Sequence, residues 1–301
     1  MRYYSLNDYC KKTFGEKVYK LSLNAGMTCP NRDGSLSYSG CFYCSEGGSG
    51  DFASDSSLPI AAQLSEARRR LSSKTDCRKF IAYFQAFTNT YAPVEYLEKI
   101  FYEAISDPSV CVLSIGTRTD CFNDEIYDLL SRLNNIKPVW IELGLQSIHQ
   151  STLDAMNTHT KVSDFTVVCN ELNKRSIKVI AHLILGLPGE TKEMMLESVD
   201  FAAKSNIFGI KLQLLHVLRN TKLAELYEKD PFPLFSLEEY CDFIVDCIER
   251  LPPGMVIHRM TGDGPRKLLI APMWSTDKKR VLNTINQNFI KRNTYQGRFF
   301  M

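Results

Sequence analysis

Short apolar runs rich in β-branched and aromatic residues alternate with longer amphipathic segments along most of this chain, and no other feature restricts its fold so strongly. Residues 17–24, 79–87, 110–117, 137–146, 177–186 and 209–218 read as six strands. Helices are predicted over 58–74, 94–106, 125–134, segments running up to Leu172, 191–205 and 236–251. The last opens with a capping box made by Ser236 and Glu239. Strands that alternate with helices pair in parallel through right-handed crossovers. Their apolar character throughout suits a sheet covered on both faces. The expected fold class is α/β, a partial (βα)6 TIM-like barrel. An N-terminal extension is expected over 1–16, the barrel over 17–218, and a helical, basic C-terminal extension over 219–301 packing on it. In such a sheet ligands gather at the C-terminal ends of the strands, so that rim is where chemistry is sought.

A chain of 301 residues with 44% hydrophobic content can fill one large core. The opening MRYYSLNDYC has no apolar leader, and no run reaches the length of a membrane span. A cytoplasmic protein with no membrane partner is expected. In that reducing compartment the ten cysteines are not a disulfide framework. Clustered ones are metal ligands or catalytic groups, and scattered ones small buried hydrophobes.

Three of them cluster. Cys29, Cys41 and Cys44 lie in CPNRDGSLSYSGCFYC, directly after the first strand, with eleven residues between the first two and two between the second pair. Gly34, Gly40 and several turn formers let the loop bend back, so that Cys29 reaches the CxxC pair. A structural zinc would need a fourth, distant ligand, since the first histidine after Cys44 is His149. A thioredoxin-like CxxC would sit at a helix start and have no use for Cys29. Three thiolates around a [4Fe–4S] cluster leave one iron open to a substrate or cofactor, which accounts directly for the missing fourth cysteine.

With YFQAFTNTY, SIGTRTD, WIELGLQS and HLILGLPGE at successive strand ends, this loop resembles the radical S-adenosylmethionine (SAM) enzymes, and the likeness runs across nearly the whole chain. It is closest to the subgroup of the bacterial YtqA/YhcC proteins, which also resembles the radical SAM core of the elongator tRNA-modifying enzymes. The long first gap departs from the superfamily's common CxxxCxxC and matches the wide gap of this subgroup. The resemblance implies a partial barrel of the radical SAM type, with Cys29, Cys41 and Cys44 as cluster ligands. It also implies SAM on the open iron, an electron donor such as flavodoxin or ferredoxin, and a 5′-deoxyadenosyl radical that takes hydrogen from the substrate. The cofactor carries that chemistry, and the protein supplies orientation and dryness.

The same resemblance implies contacts to SAM. Tyr43, before the last cysteine, is placed against adenine, or else packs on the rim. Gln85, Thr88 and Asn89 stand where the family's GGE-like stretch receives the methionine amine; ordinary turn chemistry is the other reading. Arg118 offers a donor fork for the methionine carboxylate, or pairs with Asp120. Glu142 and Gln146 find partners in ribose hydroxyls, although an internal salt bridge would serve a buried carboxylate equally. His182 is a site residue or a satisfied core histidine, and Ile184 packs on adenine or is plain core. Glu190 in GLPGE favours the N-terminus of the next helix. Gln213, His216 and Cys121 are candidates to face the substrate, and no catalytic residue is assigned.

The net charge of +2 is unevenly spread: from Arg266 onward eight Lys/Arg meet one acid, Asp277, so the tail carries +7 and the rest −5. Residues 258–274, followed by the basic tail, read as a lid or extension over the barrel's open side. Lys278, Lys279, Arg280, Lys291, Arg292 and Arg298 are interleaved with Trp274, Phe289, Tyr295, Phe299 and Phe300. Cations among aromatics suit a single-stranded RNA loop; a solvated tail whose aromatics close the core is the competing view. The subgroup resemblance implies tRNA as partner and the wobble uridine as target, its 5-carboxymethylaminomethyl group trimmed toward 5-aminomethyl. Two alternatives stand beside it: a radical SAM enzyme acting on a small metabolite or peptide, and a non-catalytic metal-bearing RNA-binding module.

Overall fold

The computed structural model describes residues 2–48, 50–51, 53–72, 76–262 and 264–300. In chain order the elements are α1 (Leu6–Phe14), β1 (Tyr19–Leu23), α2 (Ile60–Ser72), β2 (Phe80–Phe84), α3 (Val94–Ser106), β3 (Val110–Thr117), α4 (Asp124–Asn134) and β4 (Val139–Gln146). Then follow α5 (Gln150–Ala155), α6 (Val162–Lys174), β5 (Lys178–Leu185), α7 (Lys192–Lys204), β6 (Gly209–Leu214), β7 (Val217–Leu218), α8 (Lys222–Lys229), α9 (Leu237–Glu249), β8 (Val256–Arg259), β9 (Leu269–Ala271) and α10 (Lys278–Lys291). The end of the helix expected over 58–74 falls partly outside the described residues.

The main sheet is a curled half-barrel of parallel strands in the order β1-β2-β3-β4-β5-β6-β8. It therefore has a seventh strand beyond the six expected. β8 was hidden because it is only four residues long, too short to show a period, and because it opens the segment that read as a lid. The strand expected over 209–218 is also broken: β6 stops at Leu214, and Val217–Leu218 pairs antiparallel with β9 in a separate ribbon. The chain leaves the barrel wall at Leu215–His216, and its β-rich composition serves two sheets instead of one.

Side chains on alternate strand positions face opposite sides. Leu21, Ala82, Leu113, Ile141, Leu183 and Leu212 point outward into the large core under the helices. The inward set starts with Val18, Ile81, Val112, Trp140 and Ile180, which close the barrel floor with Cys10 of α1. Tyr9 of α1 meets Trp140 edge-on, ring centroids 5.8 Å apart. That helix is held by a Ser5–Asp8 capping box and ends on Gly15 at φ 80°, a left-handed cap that favours glycine. Trp140 is fully buried, so truncating it to alanine would cost about 3–5 kcal/mol.

The two ends of the chain meet on the floor side. Tyr4 donates its N–H to the Gln296 side chain at 2.8 Å, Gln296 returns one to the Arg2 carbonyl at 2.8 Å, and Ile257 of β8 donates to the Tyr4 carbonyl at 2.9 Å. Phe289 of α10 is fully buried, and Arg292 binds Asp242, Asp246 and Glu249 along α9. These parts of the basic tail are scaffold.

Candidate active site

Two residues further along each strand, the inward positions change character. They are Lys20, Tyr83, Ser114, Glu142, His182 and Lys211, a polar layer resting on the apolar floor. Glu142 is buried and is bound by Lys20, Lys211, His182 Nε2 at 2.8 Å and Ser114 Oγ at 2.7 Å. Burial alone would raise its carboxyl, but Lys20, Lys211 and His182 hold it well below the usual carboxylate range. Burial, with Lys211 alongside, pushes His182 down to about 4 and keeps the ring neutral. The internal ion pair considered for Glu142 is therefore in place, and its oxygens have protein partners.

One further inward step reaches Ser22, Gln85, Gly116, Gly144, Ile184 and Gln213. Three of these, Ser22, Gly116 and Gly144, are small, and a cavity of about 510 Å³ opens over the polar layer, within the roughly 300–1,000 Å³ usual for ligand sites. Cys29, Cys41 and Cys44 line it, as do Tyr43, Gln85, Thr88, Arg118, Glu142, Gln146, His182 and Ile184. Asn89 does not: its side chain donates to the Gly116 carbonyl at 2.9 Å and so ties the end of β2 to β3. Gln213 and His216 line the cavity, whereas buried Cys121 lies in a neighbouring hollow with Asp120 and Phe122.

The cysteine loop is stitched in place by residues that the sequence reading did not single out. Arg32 donates to the carbonyls of Cys44 at 3.0 Å and Ser45 at 2.7 Å. Asn31 donates to the Asn157 carbonyl at 2.6 Å, and Asn157 returns a bond to the Gly40 carbonyl at 2.8 Å. Phe42 N–H reaches Met156 O at 3.0 Å, and Leu223 N–H reaches Phe42 O at 2.9 Å. Asn157 sits at φ 54°, in the left-handed region where asparagine is better tolerated than most residues. The asparagine and arginine inside CPNRDG were the available signal.

Arg118 forms a bidentate pair with Asp120, at 2.9 and 2.7 Å, while its side chain stays on the cavity wall. A hydrogen bond from Cys44 lowers the Cys41 thiol to about 6, against burial and with Arg118 and Asn31 in support. A thiol that ionises this easily is suited to binding metal. Gln146 ends β4 at φ 64°, and its side-chain oxygen is buried with no hydrogen-bond partner.

Among the described residues no three His, Cys, Asp or Glu side chains stand close enough to hold a single metal ion. A cubane makes a different demand, because each thiolate binds its own iron and the sulfurs stand further apart. Three cysteines lining one cavity, an easily ionised thiol among them, and an amide oxygen left without a protein partner on a residue of the same lining fit a cluster with a polar ligand beside it.

Comparison with known proteins agrees. The Radical SAM superfamily model matches residues 28–202, and the Radical_SAM C-terminal domain model matches residues 207–291. The chain is 42% identical to YtqA of Bacillus subtilis, over 99% of this chain and 93% of that one. It is 33% identical to YhcC of Escherichia coli K12, over 89% and 85% respectively. The solved structure of Elp3 from Methanocaldococcus infernus superposes with a TM-score of 0.70 at 17% identity, covering 93% of this chain and 64% of that longer one. Among the described residues no helix is long and apolar enough to cross a membrane. With a thiolate-lined cavity at the strand ends of a curled parallel sheet, and matching models over most of its length, the chain belongs to the radical SAM superfamily, whose cofactors are a [4Fe–4S] cluster and S-adenosylmethionine.

Proposed function

We propose that this radical SAM enzyme acts on tRNA in the cytoplasm, trimming 5-carboxymethylaminomethyluridine at the wobble position toward 5-aminomethyluridine, with an electron from a flavodoxin- or ferredoxin-like donor. The observation that carries this reading is the position of Lys278. It opens α10 and lines the same cavity as the three cysteines, so the basic helix starts at the cavity wall. Exposed Lys279 follows it, whereas exposed Lys291, Arg298, Tyr295, Phe299 and Phe300 lie toward the floor side with the chain ends. Cations at the cavity wall suit the phosphates of an unpaired RNA loop. The likeness to the tRNA uridine(34) acetyltransferase of Methanocaldococcus jannaschii, 26% identical over 53% of this chain and 30% of that one, supports the same substrate class.

In this reading Cys29, Cys41 and Cys44 hold the cluster, which supplies the electron that cleaves SAM. Tyr43 and Ile184 flank adenine, Gln85 and Thr88 take the methionine amine, Arg118 takes its carboxylate, and Gln146 takes a ribose hydroxyl. Glu142, His182 and Asn89 act behind that layer as supports. The test is anaerobic reconstitution followed by dithionite-driven SAM cleavage, with and without bulk tRNA, and nucleoside mass spectrometry. We expect 5′-deoxyadenosine formation to rise with tRNA and 5-aminomethyluridine to accumulate. SAM cleavage with no change in any nucleoside would overturn the tRNA assignment.

A further inference from the structure

Asn31, two residues after Cys29, is fully buried, and its side-chain nitrogen reaches two acceptors. One is the Asn157 carbonyl at 2.6 Å, and the other is the sulfur of Cys41 at 3.4 Å. A carbonyl can only accept, so the Asn157 contact fixes which end of the amide is nitrogen. One N–H is used there, and the second faces Cys41. The amide oxygen is left over: Oδ1 is buried with no hydrogen-bond partner. A buried acceptor without a partner is destabilising, and an apolar side chain would avoid it. What asparagine provides at this position is a nitrogen with two N–H groups.

The backbone beside this contact is held from both sides. Gly40, next to Cys41, donates its N–H to the Asn31 carbonyl at 2.7 Å and accepts from the Asn157 side chain at 2.8 Å. It sits at φ 70°, and a Cβ on it would come 2.8 Å from Arg32 Nε. Glycine thus leaves room for the arginine that holds the carbonyls of Cys44 and Ser45. The approach of the amide to the sulfur is therefore set by the fold of the loop.

We propose that Asn31 tunes the cluster: its N–H, donated to the Cys41 thiolate, raises the potential at which the cluster takes up an electron. Asn31 does not line the cavity, so it is a positioning residue that acts through Cys41. Electron density added to a cluster is shared with its thiolates. A donor aimed at one of those sulfurs favours the reduced form, and such hydrogen bonds are among the means by which a protein sets the potential. The inference rests on the reading of Cys29, Cys41 and Cys44 as cluster ligands and adds the group that adjusts one of them.

The test uses the full chain, reconstituted anaerobically, with the midpoint potential read by EPR during a redox titration. Asn31→Leu keeps the approximate volume and removes both donors. It should lower the midpoint by about 59 mV, a tenfold change in a one-electron equilibrium. Asn157→Gly is the control. Glycine suits a residue at φ 54°, and the change removes the bonds to Ser39 and Gly40 while keeping the carbonyl that orients the Asn31 amide. That variant should shed iron faster and leave the midpoint where it is. An unchanged or higher midpoint in Asn31→Leu overturns the proposal, and so does an equal fall in Asn157→Gly. Wild type supplies a second reading, which stands even if Asn31→Leu holds no cluster. With isotopically labelled side-chain nitrogen in its asparagines, pulsed EPR of the reduced protein should show a nitrogen coupling, and its absence overturns the proposal. Iron content of Cys41→Ala judges the ligand reading separately. A retained cluster there sinks the assignment of Cys41, whereas a lost cluster there with an unmoved midpoint in Asn31→Leu sinks only the role of the amide.

Discussion

A Cβ built on Gly144 would stand 2.6 Å from the side-chain nitrogen of Gln146, so the glycine is what lets that glutamine fold back along the end of β4 toward the cavity. The nitrogen is the far end of a flexible side chain, and it can move. Gly144→Ala is therefore expected to fold with little loss of melting temperature but to bind SAM about tenfold more weakly, measured by equilibrium dialysis on the reconstituted protein. Gln146→Gly should part the same two quantities further. It relieves a left-handed backbone worth about 1 kcal/mol and removes the side chain proposed to hold a ribose hydroxyl. A fall in SAM affinity with an unchanged or higher melting temperature is the expected pair of results.

Cys29→Ala, Cys41→Ala and Cys44→Ala should each abolish the brown colour and most of the iron and sulfide retained after anaerobic reconstitution. Cys169→Ala, which changes a buried thiol on α6, should keep the wild-type iron content. Arg32→Ala is expected to fall between these, taking up cluster but losing it faster on dilution, because it frees the carbonyls of Cys44 and Ser45 without removing a ligand. Iron assays over time distinguish the three classes.

Removing one charge from the polar layer strands the others. Glu142→Gln leaves Lys20 and Lys211 with no carboxylate between them, and should cost roughly 3–5 kcal/mol in chemical denaturation. Lys20→Met in the same background should recover part of that loss, since groups within one network are not additive. A double variant no more stable than Glu142→Gln would show that the cluster is less tightly coupled than its geometry indicates.

Acid should weaken the fold before the carboxylates titrate. His182 and His216 each drop from an ordinary 6.5 to about 4, through burial first and neighbouring cations second. Between those limits the unfolded chain binds protons that the folded chain refuses, so stability is lost as pH falls from about 6.5 to 4. Urea midpoints should decline across that window, each histidine contributing on the order of 2–3 kcal/mol. The decline should be shallower in His182→Asn.

Much of this site can be read from single strands. VCVLSIGT places Val112, Ser114 and Gly116 on one face, and VWIELGLQ places Trp140, Glu142 and Gly144 on one face. Each strand thus spells apolar floor, polar layer and open cavity in turn. What a strand cannot show is who meets whom across the barrel. Lys20, His182 and Lys211 converge on Glu142 from β1, β5 and β6, and nothing near residue 142 announces them. The same holds for Arg292, which looks like part of a polyanion-binding tail until α9 brings three acids to it. Fold class follows from local periodicity, whereas partners follow from closure, which is a property of the whole barrel.

The hydrogen bonds that zip Arg2 and Tyr4 to Gln296 bring both termini out beneath the floor, at the opposite end of the barrel from the thiolates. A bead, a fluorophore or a fused reductase attached at either end would therefore sit behind the catalytic chamber, leaving its entrance clear for something as bulky as a folded nucleic acid.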